Sequence, residues 1–347
     1  MRKIGIVAVV VFVASWMFSL LCMHAAGQAG WKMEEENQNV ISESVVYENN
    51  QKGSEETAGW NGNSHSVDQG DGEAYSRRII LERYGVRTYL SVEDYLPGVM
   101  VCQTGPEMGM EALKCQAVIA RTYIYRQMGD REEIQEEELD LDYLGDDTAR
   151  AGNTLTVHQK EKLAKRLEQC RQAAEATAGV VMKYEERYIL PLFHERSAGR
   201  TRTGEADYPY LQSVESKWDV VGNESEKSFH LSEFAQRIKN FSDAPSLDPE
   251  RLPSEIQIVK RDDAGYVLQI KIGPRTYTGD DVQYALDLPS TCFTIDTRIS
   301  GTIAVTVKGC GHGYGLSQNG AQAMAEEGWS YSDILNYYYK NISLVTE

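Results

Sequence analysis

The chain is poor in cysteine and proline and has no excess of basic residues. Six of its 347 residues are cysteine and nine are proline. No C-x-x-C pair occurs, so neither a zinc-finger pattern nor a disulfide framework is indicated. Lysine and arginine total 35 against 52 acidic residues, a net charge of −17. This balance argues against a nucleic-acid partner and against adhesion to an anionic membrane surface. The acidic balance has one local exception, which predicts a small basic groove at Arg196, Arg200 and Arg202.

The cysteines are interpreted as buried small apolar residues. Cys22 falls in the N-terminal apolar segment, which leaves an odd number, five, for the folded part. Cys292 and Cys310 would be able to form a bridge only if their strands adjoin.

The N-terminus has the pattern of an export signal. After Arg2 and Lys3, residues 4–23 are nearly all apolar and carry no charge. Such a run is long enough to cross a hydrocarbon core of about 30 Å as a helix. We therefore predict a signal anchor over residues 1–29, a single-pass location in the cell membrane and an extracytoplasmic domain. Cleavage near Gly27-Gln28-Ala29 is an alternative that the sequence leaves open.

Two further regions follow the predicted anchor. Residues 30–76 are rich in Glu, Asn, Gly, Ser and Gln without an apolar period, which predicts an acidic flexible linker. Residues 77–347 predict a single domain. Its strand-like and helix-like runs alternate irregularly, so an α+β fold is favoured over a doubly wound sheet.

Local signals place several elements within this domain. Ser91 followed by Asp94 is typical of a helix N-cap, and Pro106 is typical of a first helical position. The run 131–147 is so acidic that a surface insertion is expected. A helix is predicted near residues 159–177 and another near 231–240. The run 255–279 predicts a β-hairpin.

The segment GCGHGYGLSQNGA at residues 309–321 is the most distinctive in the chain. Glycines bracket His312, which lets backbone approach a neighbour closely, and a helix is predicted to start at about Ser317 with free amides. This arrangement suits ligand binding at a helix N-terminus. The alternative is a tight connection in which His312 only hydrogen-bonds backbone.

Three blocks in order resemble a known family. The glycine-rich segment resembles the G-x-G-H-G-x-G-x-S-Q-x-G-A signature of the stage II sporulation protein D and amidase-enhancer family. YLPGVM and EALKCQAVIARTY, within residues 95–123, resemble that family's first block. FHERSAGRT at residues 193–201 resembles its middle motif. The likeness runs from about residue 79 to the C-terminus.

The resemblance implies a lytic transglycosylase that acts on the glycan of peptidoglycan. One carboxyl group serves that reaction, first as acid and then as base, while the sugar's own 6-hydroxyl attacks C1. The family's catalytic Glu stands eight residues after the first-block Tyr, and counting from Tyr95 reaches Gln103. An amide cannot exchange a proton in this way at neutral pH. Glu107 is a candidate substitute acid, or else a first-turn acid of the next helix.

Other positions carry over one by one, each beside a structural alternative. Arg121 and Tyr123 match the first block and would shape a glycan groove, although an arginine on a helix often pairs with a nearby acid. Ser197, Gly199 and Thr201 match the middle motif, where an ordinary turn is the alternative. His312, Ser317 and Gln318 match the last motif as candidate substrate-binding residues. No cofactor is expected; zinc at His194 and the cysteines, as in some family members, lacks ligand spacing.

Three functions compete on these grounds. The first is an active transglycosylase that uses Glu107 or another acid. The second is a pseudoenzyme that binds peptidoglycan glycan strands and assists another wall hydrolase, as an amidase enhancer would. The third is a serine hydrolase built on Ser197 or Ser317 with His312. For the first two, the resemblance implies sporulation membrane proteins as partners, with a role in engulfment.

Overall fold

A computed structural model describes residues 77–145, 156–220, 222–242 and 247–347. The predicted anchor and the whole of the predicted linker lie outside these ranges. No helix within them is both long enough and apolar enough to cross a membrane. Eight helices and several small sheets are interspersed along the described ranges, which confirms the α+β class.

The N-terminal part packs three helices against a small sheet. Strands β1 (Arg78–Arg83) and β2 (Val86–Ser91) form an antiparallel hairpin, and β3 (Glu133–Gln135) pairs parallel with β1. The helices are α1 (Val92–Gln103), α2 (Met110–Met128) and α3 (Val157–Glu175). The predicted cap of α1 is confirmed, since the Ser91 hydroxyl accepts from the amide of Asp94 at 3.0 Å. Buried apolar side chains of β1, α1, α2 and α3 form one core.

The middle of the chain builds a second core from residues 229–307. Its strands are β7 (Glu224–His230), β8 (Ile256–Arg261), β9 (Val267–Ile272), β10 (Arg275–Thr278), β11 (Phe293–Asp296) and β12 (Thr302–Lys308). Its helices are α4 (Leu231–Ser242), α5 (Leu252–Glu255) and α6 (Gly279–Leu286). Strands β8 and β9 form the predicted hairpin, and β10 adds a third antiparallel strand.

The C-terminal part returns to α2 and forms a third core on its other face. Strands β4 (Val180–Tyr184) and β5 (Arg187–Tyr188) pair with each other, and β14 (Ser343–Thr346) pairs with β4. Two very short strands, β6 (Phe193–His194) and β13 (Leu316–Ser317), pair in parallel. Helices α7 (Gln318–Glu326) and α8 (Tyr331–Tyr338) follow β13. The last motif is thereby placed against α2.

Two local expectations were wrong. Helix α2 begins at Met110 behind the N-cap Gly109, so Pro106 and Glu107 lie in a turn before it. The acidic run after residue 131 is no mere surface insertion, because its apolar residues Ile134 and Leu139 are buried in the first core. A short alternation of apolar and acidic residues is enough to bury one face.

Within the described ranges no disulfide is formed by the five cysteines, of which only Cys102 is partly exposed. Cys292 and Cys310 therefore do not form the bridge that adjoining strands would permit. Their thiols contact different groups, Gly265 O and Glu195 Oε2 respectively.

Candidate functional site

Three glutamine side chains join the first and last motifs. Gln103, at the C-terminal end of α1, accepts a hydrogen bond at Oε1 from Gln116 Nε2 of α2 at 2.7 Å. Gln318, the first residue of α7, donates from Nε2 to the main-chain oxygen of Gln103 at 2.8 Å and to Gln116 Oε1 at 3.2 Å. Gln103 and Gln318, both predicted site residues, are thus in direct contact. Gln116 was missed, because nothing in a helical sequence marks which face meets a distant loop.

The start of α7 is where the sequence predicts it. Ser317 is the N-cap, and its hydroxyl accepts from the amide of Gly320 at 3.1 Å. The amide of Asn319 donates to the carbonyl of Glu195 at 2.9 Å. The expectation of free amides was therefore wrong for Gly320 and Asn319, because the Ser317 hydroxyl and the Glu195 carbonyl already accept from them.

Asp219 is a fully buried carboxylate beneath this helix start. Its Oδ2 accepts from the hydroxyl of Ser197 at 2.6 Å and from the amide of the same residue at 3.1 Å. Its Oδ1 accepts from the Ser317 hydroxyl and from Asn319 Nδ2, each at 3.0 Å. Four hydrogen bonds offset the cost of removing this charge from water. Asp219 follows the middle motif without any spacing signal and was missed by sequence reasoning.

This arrangement bears on the serine-hydrolase alternative. Ser197 and Ser317 are both fully buried, and both hydroxyls donate to Asp219. A serine nucleophile needs an exposed hydroxyl beside a general base. Neither serine has that environment, so the geometry favours a structural role for the pair.

The ring of His312 is bound to backbone. Its Nδ1 accepts from the amide of Tyr314 at 2.9 Å, and a further hydrogen bond reaches the backbone of Phe193. Burial lowers the pKa of His312 well below its ordinary value, and the neighbouring His194 and Arg202 lower it further. His312 thus makes the backbone hydrogen bonds that the structural alternative describes.

His194 faces His312, with ring centroids 5.7 Å apart. Its Nδ1 lies 3.1 Å from the carbonyl oxygen of Tyr314, which assigns the proton to Nδ1. Its Nε2 is buried without a hydrogen-bond partner. Burial lowers the pKa of His194 to about 4, against an opposing effect of the Asp219 charge.

The glycines of the last motif make room for protein atoms. At Gly315, with φ of 70°, an added Cβ would collide with the carbonyl of Leu192. At Gly313, with φ of 81°, it would meet the ring of Tyr266. Both positions also have the left-handed backbone that glycine adopts at no steric cost. Close approach is thus confirmed, and the neighbour at these two positions is the protein itself.

Arg121 and Tyr123 are buried within the first core's helices. The Arg121 guanidinium donates to both oxygens of Glu93, at 2.7 and 2.6 Å, and to the main-chain oxygens of Ala174 and Val180. The Tyr123 hydroxyl donates to the carbonyl of Leu139 at 3.0 Å. These contacts favour the structural alternative over a place in a glycan groove, because neither side chain is available at the surface.

The middle motif forms a turn whose polar side chains point inward. Gly199 has φ of 101°, and its amide donates to Ser197 Oγ at 3.1 Å. Thr201 is buried, and its hydroxyl accepts from the amide of Val214 at 2.9 Å. The predicted basic groove is only partly present: Arg200 is exposed, whereas Arg202 is buried and paired with Asp262 at 2.6 Å.

Two carboxyl groups lie near the joined motifs. Glu107 is exposed in the turn between α1 and α2, four residues after Gln103. Glu195 follows β6, is partly exposed, and accepts from the thiol of Cys310 at 3.2 Å through Oε2. Cys310 comes two residues before His312, so Glu195 is a carboxyl group at the histidine loop. Sequence reasoning did not single out Glu195. Within the described ranges, no group of three or more His, Cys, Asp and Glu side chains has the arrangement of a metal site.

Comparison with known proteins gives the same family that the three sequence blocks resemble. A family profile described as stage II sporulation protein matches residues 82–184. Stage II sporulation protein D of Bacillus amyloliquefaciens is 31% identical over 266 residues, covering 74% of each chain. The chain belongs to the stage II sporulation protein D family.

Further relatives agree with this placement. Stage II sporulation protein D of Bacillus subtilis (strain 168) is 31% identical over 267 residues, again with 74% of each chain covered. An amidase enhancer of the same organism is 24% identical over 309 residues, which is 72% of this chain and 40% of that protein. Members of the family with both names are thus similar to this chain over most of its length.

Proposed function

We propose that this protein is a membrane-tethered, extracytoplasmic cell-wall protein of sporulation that binds peptidoglycan glycan strands and is impaired as a lytic transglycosylase. Family membership supports the substrate class and the place in sporulation. The observation that carries the impairment is the hydrogen-bonded set of Gln103, Gln116 and Gln318 at the position of the family's catalytic Glu.

The chemistry of this set explains the impairment. Glycan cleavage without water needs one group that donates a proton to the leaving oxygen and then takes a proton from the 6-hydroxyl. The three side-chain amides hold one another in place but have no proton to exchange at neutral pH. They remain able to donate and accept hydrogen bonds, which suits recognition of sugar hydroxyls and acetamido groups. A bound strand would be held without being cut.

The experiment compares wild type with Gln103→Glu. The purified full chain is incubated with isolated sacculi; bound protein is measured by pelleting, and released anhydro-muropeptides by chromatography. Wild type should bind and release no product, while Gln103→Glu should bind and gain measurable turnover. Gln212→Glu, at an exposed glutamine, is the matched control for added charge and should stay inactive. Product formation by wild type would refute the impairment, and absence of binding would refute the substrate class.

A second candidate, an active transglycosylase, is favoured by the two nearby carboxyl groups. Glu107 has an exposed side chain just after α1, and Glu195 lies at the histidine loop. If wild type releases product, Glu107→Gln and Glu195→Gln identify the acid, because only loss of the true proton donor abolishes turnover while sacculus binding stays. Glu205→Gln, at an exposed acid in the loop after the middle motif, is the control.

A further inference from the structure

Three aromatic rings form a partly exposed cluster beside α7. Trp218 packs edge-to-face on Trp329, with ring centroids 6.4 Å apart, and on Tyr337 at 5.9 Å. Trp329 and Tyr337 contact each other at 5.9 Å. Each ring keeps part of its surface in solvent. The three rings thus pack against one another and leave part of each ring accessible to a ligand from solvent.

The cluster is hydrogen-bonded to residues at both ends of α7. The main-chain oxygen of Trp218 accepts from Asn319 Nδ2 at 3.3 Å, and its Nε1 donates to Glu327 Oε1 at 2.7 Å. The first contact is at the start of α7 and the second just past its end. A nine-residue helix is about 13 Å long, so the cluster runs alongside a helix whose first side chain reaches Gln103.

Basic side chains lie beside two of the rings, although the net charge of the chain is strongly negative. Lys217 Nζ lies 4.8 Å from the centroid of the Trp218 ring, and Lys340 Nζ lies 5.0 Å from that of Tyr337. Arg200 is exposed on the neighbouring turn, where its backbone forms an isolated antiparallel β-bridge with Glu215. The carbonyl of Glu215 accepts from the Tyr337 hydroxyl. The Lys217 side chain is 64% exposed and its ammonium is 3.9 Å from Glu327, a separation that leaves it free to turn to another anion.

We infer that Trp218, Trp329 and Tyr337, with Lys217, Lys340 and Arg200, form a second binding surface for the glycan strand, where sugar rings pack on the aromatic side chains and the cations meet pendant carboxylates. Pyranose rings have apolar C–H faces, which pack on aromatic rings, and hydroxyls that stay in solvent. Indole and phenol rings supply large apolar contact area at low entropic cost. Basic groups at the rim select a polymer that carries acids.

This inference rests on the proposed function and names the part of the surface that holds a long strand. A ligand that spans Gln103 and the aromatic cluster must extend along α7. Short fragments therefore gain little from the cluster, whereas polymeric strands gain from both contacts through effective concentration.

The test measures binding of the full chain to sacculi by pelleting, with Trp218→Ala, Trp329→Ala and a Tyr284→Ala control. Tyr284 is 68% exposed on α6 and is the matched aromatic outside the cluster. Each tryptophan variant should lose roughly tenfold or more in affinity, and the control should lose none. Since the tryptophans also touch the third core, Lys217→Glu is tested as well; it should weaken binding at low salt and less at high salt.

The outcomes separate the two ideas. If wild type binds sacculi and all three cluster variants bind equally well, the second surface is refuted while the proposed function stands. If wild type does not bind, the proposed function itself fails. Sacculi stripped of phosphate-bearing wall polymers are the substrate of choice: retained binding supports peptidoglycan carboxylates as the ligand, and loss of binding on stripping overturns that assignment in favour of a sugar-phosphate polymer.

Discussion

Gln318 Nε2 donates to the main-chain oxygen of Gln103 at 2.8 Å, joining residues 215 positions apart. This bond connects the C-terminal end of α1 to the first turn of α7. We predict that Gln318→Leu destabilises the fold by roughly 1–3 kcal/mol, because the Gln103 carbonyl and Gln116 Oε1 both lose a donor. Denaturant unfolding measures the change, and sacculus binding should fall with it. Gln212→Leu, at an exposed glutamine, should alter neither quantity.

Asp219 should be essential for stability. We expect Asp219→Asn to lower the free energy of unfolding by about 3 kcal/mol, because an amide places N–H groups against donors that now point at a carboxylate. Thermal and urea unfolding measure the loss. Asp263→Asn, at an exposed acid, serves as control. Equal stability of the two variants would contradict the role given to Asp219.

The buried pair of Arg121 and Glu93 gives a third prediction. Removing one partner leaves the other charge without its counterpart in a site where Arg121 is fully buried. We expect Arg121→Met and Glu93→Gln each to cost about 3–5 kcal/mol. Arg237→Met, in the exposed α4 pair with Glu233, should change stability little. If Arg121 instead contacted glycan, its loss would reduce sacculus affinity at unchanged stability.

Stability should fall on acidification through His194, which is fully buried, and His312, which is partly buried. The pKa of His194 is about 4 in the folded state and about 6.5 when unfolded, so the unfolded chain binds more protons between these values. The contribution of neutral His194 to the free energy of unfolding is fully present above pH 6.5 and is lost as the pH falls towards 4. It amounts to on the order of 3 kcal/mol for His194. The pKa of His312 is depressed too and acts in the same direction.

Unfolding free energies measured from pH 7 to 4 test this point. Wild type should lose stability over this range, and His194→Asn should show a shallower slope. His230→Asn, at an exposed histidine of β7, should leave the slope unchanged. A wild-type curve that is flat between pH 6.5 and 4.5 would contradict the buried neutral state of His194.

Much of the fold follows from local sequence signals. The Ser91 cap, the Ser317 cap and the alternating runs of β8 and β9 all lie where short-range rules place them. Helix α2 starts later than Pro106 suggested, because Pro106 and Glu107 form a turn of their own and Gly109 takes the cap position. Local rules give an element reliably and its first residue less so.

The site was less predictable because its parts meet through tertiary contacts. Gln103 and Gln318 were named from the family motifs, yet only the fold shows that they touch. Arg121 matched a motif equally well and proved to be an internal ion pair. Asp219 and Glu195 carry no pattern, since a carboxylate's surroundings depend on chain segments far away in sequence. Motif matching thus identifies positions without separating ligand contacts from structural ones.

The parallel pair β6–β13 brings His194 against the carbonyl of Tyr314, 120 residues further along the chain. Contacts of such long range form late, since closing a large loop costs entropy before any bond compensates for it. The histidine loop and the start of α7 therefore reach their observed arrangement only after β13, close to the C-terminal end of the sequence, has docked on β6. A chain that lacks this last segment cannot bring Gln318 to Gln103.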